Sequence, residues 1–158
     1  MTSGFVFVTI GYTCGAMDRQ IACLHIPSFE IALARAQHAA LRTRPVAVAP
    51  VHTSRALLRE VSSEASAEGL QPGMSVELAR IMCPALRIVP PDSLRVQAAH
   101  RELQQRVRRC APTWESIRPG SLFLDFTGTT RLFGPAIDTA ARRVAGAPLA
   151  IMGFGCLY

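Results

Sequence analysis

Ser121-Leu-Phe-Leu-Asp-Phe-Thr-Gly-Thr-Thr-Arg-Leu-Phe-Gly134 opens with a two-residue period. Leu122, Leu124 and Phe126 fall on one side, and Ser121, Phe123 and Asp125 on the other, as in a strand with two distinct faces. Pro119-Gly120 precedes it as a turn, so residues 114–118 are expected to pair with it as the first arm of a hairpin. A second apolar run lies far upstream in Ile21-Ala-Cys-Leu-His-Ile-Pro-Ser-Phe-Glu30. Residues 21–26 suit a buried strand that Pro27 ends, and Ser28 is placed to cap a helix over 29–37.

Between these strands the local signals are short and frequent. Pro45 and Pro50 enclose a Val-Ala-Val-Ala strand, and residues 57–62 read as another strand that runs into a small helix at 63–68. Gly69 is expected to stop that helix in the left-handed conformation. Gln71-Pro-Gly-Met74 has Pro and Gly at the two central positions that a tight turn favours. Ser75 then caps a helix to about Met82, followed by a brief strand at 87–89. Asp92 or Ser93 opens the longest helix, to about Cys110, whose Val96, Ala99, Leu103 and Val107 make one apolar stripe. A second amphipathic helix is expected over 135–144 and a last strand over 147–152. This order predicts an α+β fold, with helices on one face of an antiparallel, ferredoxin-like sheet and a small mixed insertion.

Composition narrows the function only a little. The 158 residues, 49% of them apolar, suffice for one compact domain or for one domain with a piece of another. The net charge of +6 suits an anionic partner, and all 17 basic residues are Arg. Guanidinium forks match phosphate oxygens, although GC-rich coding explains the absence of Lys more simply. Five Cys at 14, 23, 83, 110 and 156 form no C-x-x-C pair, which argues against a zinc site or a disulfide framework and for reduced thiols in a cytoplasmic protein. Residues 1–16 carry no charge. They have no basic region of the kind a secretory signal needs, and their apolar run is too short to span a bilayer. No membrane association is expected. Residues 1–16 are read as an upstream extension outside the fold, with Met17 as the natural start; an added edge strand is the alternative.

Five segments in order resemble the N-terminal part of the Y-family translesion DNA polymerases, most nearly the branch containing ImuB and more distantly UmuC and DinB. They are residues 21–29, Arg44-Pro-Val-Ala-Val48, residues 62–74 with Gly69-Leu-Gln-Pro-Gly-Met74, residues 79–86 with Cys83-Pro84, and residues 122–134. The resemblance implies a palm built from about 20–29 and 91–158, and fingers from about 30–90, within a domain spanning 17–158. It implies no thumb and no little finger here, and so only weak DNA binding by this chain alone.

The same resemblance directs attention to what has changed. Such polymerases hold two divalent metal ions with one carboxylate from the first palm strand and an Asp-Glu pair from the hairpin. The motif places Leu24, Gly120 and Ser121 at those three positions and Ile26 at that of a second Asp in the first strand, and none can ligate a metal through a carboxylate. Asp125 is the one acid left nearby, either as a residual ligand or as a loop anchor. Ser63 and Ser66 stand where the fingers would carry a Tyr and an Arg to grip a triphosphate, and Phe29 stands at the position of the steric gate. His25 is read as a half-buried residue under a helix. Arg106, Arg108 and Arg109 are candidates for DNA phosphate contact, or else simply suit the negative end of their helix.

These residues lead to the expectation of a catalytically inactive, scaffold-like component of DNA repair and SOS-type translesion synthesis. No cofactor is expected, with Mg²⁺ relevant only if activity remains. By family analogy the partners would be DNA, an error-prone replicative-type polymerase, a RecA-like protein and the sliding clamp. An active nucleotidyltransferase using displaced acids (Glu30, Glu115 and Asp125) is the enzymatic alternative, and a non-functional truncated remnant is the third.

Overall fold

The computed structural model describes residues 7–12, 20–51, 55–109 and 111–128. In chain order the elements are β1 (Phe7–Tyr12), β2 (Gln20–His25), α1 (Phe29–Gln37), β3 (Val46–Val48), β4 (Glu60–Val61), α2 (Ser63–Ala67), α3 (Val76–Met82), β5 (Arg87–Val89), α4 (Ser93–Val107), β6 (Thr113–Arg118) and β7 (Ser121–Asp125), with a 3₁₀ turn at Ala39–Leu41. They belong to two compact units, one of Ser28–Val96 and the other of the described residues before and after it. The helix and strand expected beyond residue 134 lie outside the described residues.

The flanking unit is an antiparallel sheet in the order β1-β2-β7-β6. Alternation sorts its side chains as the sequence predicts. Ala22, Leu24, Leu122 and Leu124 are all nearly or wholly buried, while Phe123 on the other side is 41% exposed. Ser116 pairs with Leu122 and therefore shares the buried face. Ser116 also bonds His100 of α4, which places α4 over that face. The helix turns Ala99, Leu103 and Val107 inward at four-residue spacing. It ends at Val107, short of the expected Cys110.

Residues 7–12 correct one expectation. They were to stand outside the fold, yet they pair with β2 from Phe7↔His25 to Tyr12↔Gln20. Val8, Thr9 and Ile10 are β-branched, which favours extended backbone, and β2 would otherwise leave one side of its ladder unpaired. The edge-strand alternative is therefore the arrangement found.

The unit of Ser28–Val96 has a mixed sheet, β4-β3-β5, with β3 antiparallel to β4 and parallel to β5. Its centre is β3, buried on both sides. Val46 and Val48 pack with Ile31 of α1, whereas Ala47 and Ala49 pack with Leu58, Ala65, Leu70, Ala79, Cys83 and Leu86. A strand covered on both faces needs a continuous apolar run, and the Val-Ala-Val-Ala segment supplies it.

Helix ends follow the expected chemistry at most places. Ser75 Oγ accepts from the Leu78 N–H at 3.3 Å and Asp92 Oδ1 from the Arg95 N–H at 3.0 Å. Gly69, at φ +85°, closes α2 with Gly69 N–H to Ser66 O and Leu70 N–H to Ala65 O. Met74 N–H bonds Gln71 O across the turn that Gly73 completes at φ +87°. Ser28 is the exception. It has left-handed backbone, φ 46° and ψ 57°, and its side chain caps nothing. A capping residue needs extended backbone to aim its oxygen at the first free N–H groups. Ser28 Oγ instead donates to Val61 O at 3.2 Å.

Candidate functional site

The face of the four-stranded sheet opposite α4 gathers the polar residues. Register places His25 directly across from Ser121, Cys23 across from Phe123 and Ile21 across from Asp125. On the other side of β7, Arg118 pairs with Ser121, Glu115 with Phe123 and Thr113 with Asp125, with an irregularity between Ser116 and Arg118. The three rows run along the sheet about 7 Å apart, two residues per step.

At the hairpin end, His25 Nδ1 lies 2.8 Å from Ser121 Oγ, and Arg118 Nε donates to the same oxygen at 3.3 Å. Ser121 is buried and His25 half-buried. The turn behind them is Gly120, buried and at φ +77°, a conformation natural to glycine. Gly120 O accepts from the Ile26 N–H at 2.8 Å, which ties the end of β2 to the hairpin. Gly120 N–H donates to His100 Nδ1 at 3.3 Å, which ties the hairpin to α4. His100 Nε2 meets Ser116 Oγ at 2.7 Å, with the side-chain amide of Gln104 3.1 Å from the same nitrogen. A backbone N–H can only donate, so Nδ1 accepts; a proton on Nε2 then requires the Gln104 amide to turn its oxygen, rather than its nitrogen, toward the ring. Burial holds His100 below the usual histidine range.

The first-strand positions named from the motif lie in the core. Leu24 and Ile26, read from the motif as former ligand positions, are core residues at 0% and 2% exposure on β2 and just after it. The residue of β2 that faces Ser121 is His25. A one-residue offset in a strand reverses the face. His25 itself was expected under a helix, but it lies on the face away from α4, because α4 bonds Ser116 on the other side.

The remaining candidates do not join this group. Asp125 shares the open face but sits four residues along β7, about 14 Å from Ser121. Its Oδ1 accepts from the Thr127 N–H at 2.8 Å and so anchors the loop after the strand. Glu115 is exposed, one row from Ser121. Glu30 is buried in its own unit and accepts from the Asp92 N–H at 2.8 Å. Among the described residues, no three His, Cys, Asp or Glu side chains gather closely enough to hold a metal ion. An imidazole and a hydroxyl at positions 25 and 121, with glycine at 120, do not suit Mg²⁺, which prefers carboxylate and water oxygens in octahedral order.

Ser63 and Ser66 lie exposed on α2. Ser63 Oγ donates to Glu64 Oε2 at 3.3 Å. Arg35 binds that same oxygen at 2.6 Å and also donates to Leu41 O and Arg44 O. Burial raises the Glu64 carboxyl, but the hydrogen bonds led by Arg35 prevail and hold it below the usual range. Glu60, with one oxygen buried and unpartnered, is pushed up by burial, against hydrogen bonds from the Ile31 and Glu30 backbone. Phe29 is a core residue at 4% exposure. Arg106 pairs with Glu102 one turn earlier, and Arg108 and Arg109 are exposed just past the end of α4.

The most informative features that sequence reading missed are the His25–Ser121 link and the His100–Gly120 clamp. Alternation does assign His25 to the face opposite Leu24. Which face carries the helix follows only once the strands are paired.

Comparison with known proteins agrees with this architecture. The model of the impB/mucB/samB family matches residues 24–150. A DNA polymerase IV of Bacillus velezensis is 30% identical over 128 residues, which cover 78% of this chain and 31% of that protein. A DNA polymerase IV of Desulfatibacillum aliphaticivorans is 32% identical over 89 residues, 56% of this chain and 22% of that one. The chain thus spans at most about a third of these relatives. Among solved structures, the post-insertion binary complex of Dbh DNA polymerase superposes with a TM-score of 0.70 at 17% identity, covering 82% of this chain and 38% of that one. DinB from Sulfolobus solfataricus gives 0.70 at 15% identity, covering 87% and 48%. At such identities the likeness is one of fold, and it is the palm-and-fingers fold of these polymerases.

Proposed function

Since this chain belongs to the impB/mucB/samB family, we propose that it is a polymerase-like component of DNA repair and translesion synthesis whose own palm performs no nucleotidyl transfer. One observation carries this reading. Among the described residues the sheet β1-β2-β7-β6 is formed, yet its open face at the hairpin end carries His25, Ser121 and Gly120 without a carboxylate. Two-metal phosphoryl transfer needs a clamp on both the attacking and the leaving oxygen, and acids hold the ions that form it. The positions that the family motif gives to acids are Leu24, Ile26, Gly120 and Ser121; Leu24 and Ile26 belong to the core, and His25 is the residue that faces Ser121.

The loss of the fingers' phosphate grip at Ser63 and Ser66 supports the same conclusion, because a hydroxyl donates one hydrogen bond and neutralises no phosphate charge. A platform role of the ImuB kind fits these residues. Such a subunit would bring DNA together with an error-prone replicative-type polymerase, a RecA-like protein and the sliding clamp, and the chemistry would be the partner's.

The deciding experiment is primer extension by the full chain, with Mg²⁺ or Mn²⁺, on intact and lesion-bearing templates. No incorporation above a protein-free control is expected. Extension that disappears in Glu115→Gln or Asp125→Asn would establish an active enzyme with displaced acids instead.

A further inference from the structure

The hairpin end of the open face has donors where a metal-holding palm has acceptors. Ser121 Oγ, at 4% exposure of its residue, is flanked by His25 Nδ1 at 2.8 Å and Arg118 Nε at 3.3 Å. No described carboxylate bonds His25, Ser121 or Arg118. Glu115 of β6 and Asp125 of β7 share the face, but they stand one and two rows further along the sheet, and Asp125 is held by the Thr127 N–H. Arg118 has only its Nε engaged, so its two terminal nitrogens remain for a ligand. The imidazole of His25 is held through Nδ1, which leaves Nε2.

We propose that His25, Ser121 and Arg118 form a metal-free oxyanion site that takes a phosphate group. This deepens the reading of an inactive palm and rests on it. The planar guanidinium supplies paired donors to two phosphate oxygens, and the imidazole supplies another from the neighbouring strand. Phe123, 41% exposed and one row along on the same face, adds an aromatic plate beside the site. Aromatic side chains beside a basic groove stack bases of single strands without regard to sequence. The phosphate can thus be free or part of a single-stranded nucleic acid, and the chemistry of the site is the same for both.

The test is a magnetic-resonance titration of the full chain, free of divalent metal, first with inorganic phosphate and then with a short oligothymidylate. Both ligands are expected to move the His25 ring and Arg118 side-chain signals, and the oligonucleotide also to move the Phe123 ring. Movement of Phe123 assigns the site to a nucleic-acid strand; movement of His25 and Arg118 by phosphate alone assigns it to the free anion. Arg118 is exposed, so Arg118→Gln leaves the fold intact and is expected to weaken either ligand about tenfold, the effect of losing one charged hydrogen bond. His25→Asn gives an independent second variant with the same expected loss. Signals that stay still with both ligands, or that move equally in Arg118→Gln, overturn the proposal. A separate Mn²⁺ titration distinguishes the two readings. Selective broadening at His25 and Ser121 overturns the inactive palm, whereas silence there together with no phosphate response overturns the oxyanion site alone.

Discussion

His100 is the residue whose protonation state the fold specifies most closely. Its Nδ1 must stay bare to accept the Gly120 N–H, and burial depresses its proton affinity in the folded chain. Between the depressed value and the ordinary one of about 6.5, the unfolded chain holds a proton that the folded chain lacks. Its contribution to stability is therefore complete above the ordinary value and is lost as pH falls through the depressed one. Urea unfolding from about pH 7 to pH 5 should show stability falling, and His100→Gln should flatten the part of that slope due to residue 100. A slope identical in the variant would mean that other groups produce it. At the same hairpin, Ser121 and His25 illustrate how little a single side chain reveals before its neighbour is known. Sequence draws attention to each for a separate reason, and only the register makes them a pair.

At the scale of elements, Ser62 joins two pieces of structure through one oxygen. Its Oγ accepts from the Ala65 N–H at 3.2 Å, capping α2, and from the Val46 N–H at 3.1 Å, at the start of β3. Ser62→Ala removes a cap and leaves a buried N–H unpaired, so a loss of about 2 kcal/mol is expected in chemical unfolding. A loss under half of that would mean that water or a backbone shift satisfies Val46. Elements fixed by local chemistry could be read directly from sequence. The Gln71–Met74 turn, the Ser75 cap, the Gly69 stop and the β6–β7 hairpin each depend on a few adjacent residues. What could not be read depends on distant partners. The parallel pairing of β3 with β5, the addition of β1 to β2, and the face that α4 covers are all set by contacts far apart in sequence. The candidate site depends on such partners too, since His25 meets Ser121 only through the pairing of β2 with β7.

For the molecule as a whole, the balance of 17 Arg against 11 acids sets the electrostatic expectation. Six net charges spread over 158 residues give a modest attraction for a polyanion, not a dedicated groove. Double-stranded DNA should bind this chain no tighter than about 10⁻⁶ M at physiological salt, and more weakly as salt rises, the behaviour of counterion release. Fluorescence anisotropy across a salt series measures both. A salt-insensitive, much tighter complex would point to base contacts that the described residues do not suggest. Among the described residues no helix is long and apolar enough to cross a membrane.

The glycine turn at position 120 has a bearing on ancestry as well. On the proposed reading an acid at position 121 could return by ordinary substitution, whereas one at position 120 would stand on backbone at φ +77°, at a tip fastened to the helix through His100. Most L-residues resist that conformation by roughly 1–2 kcal/mol, Asp less than most, so an acid at this tip strains the bend that glycine makes freely.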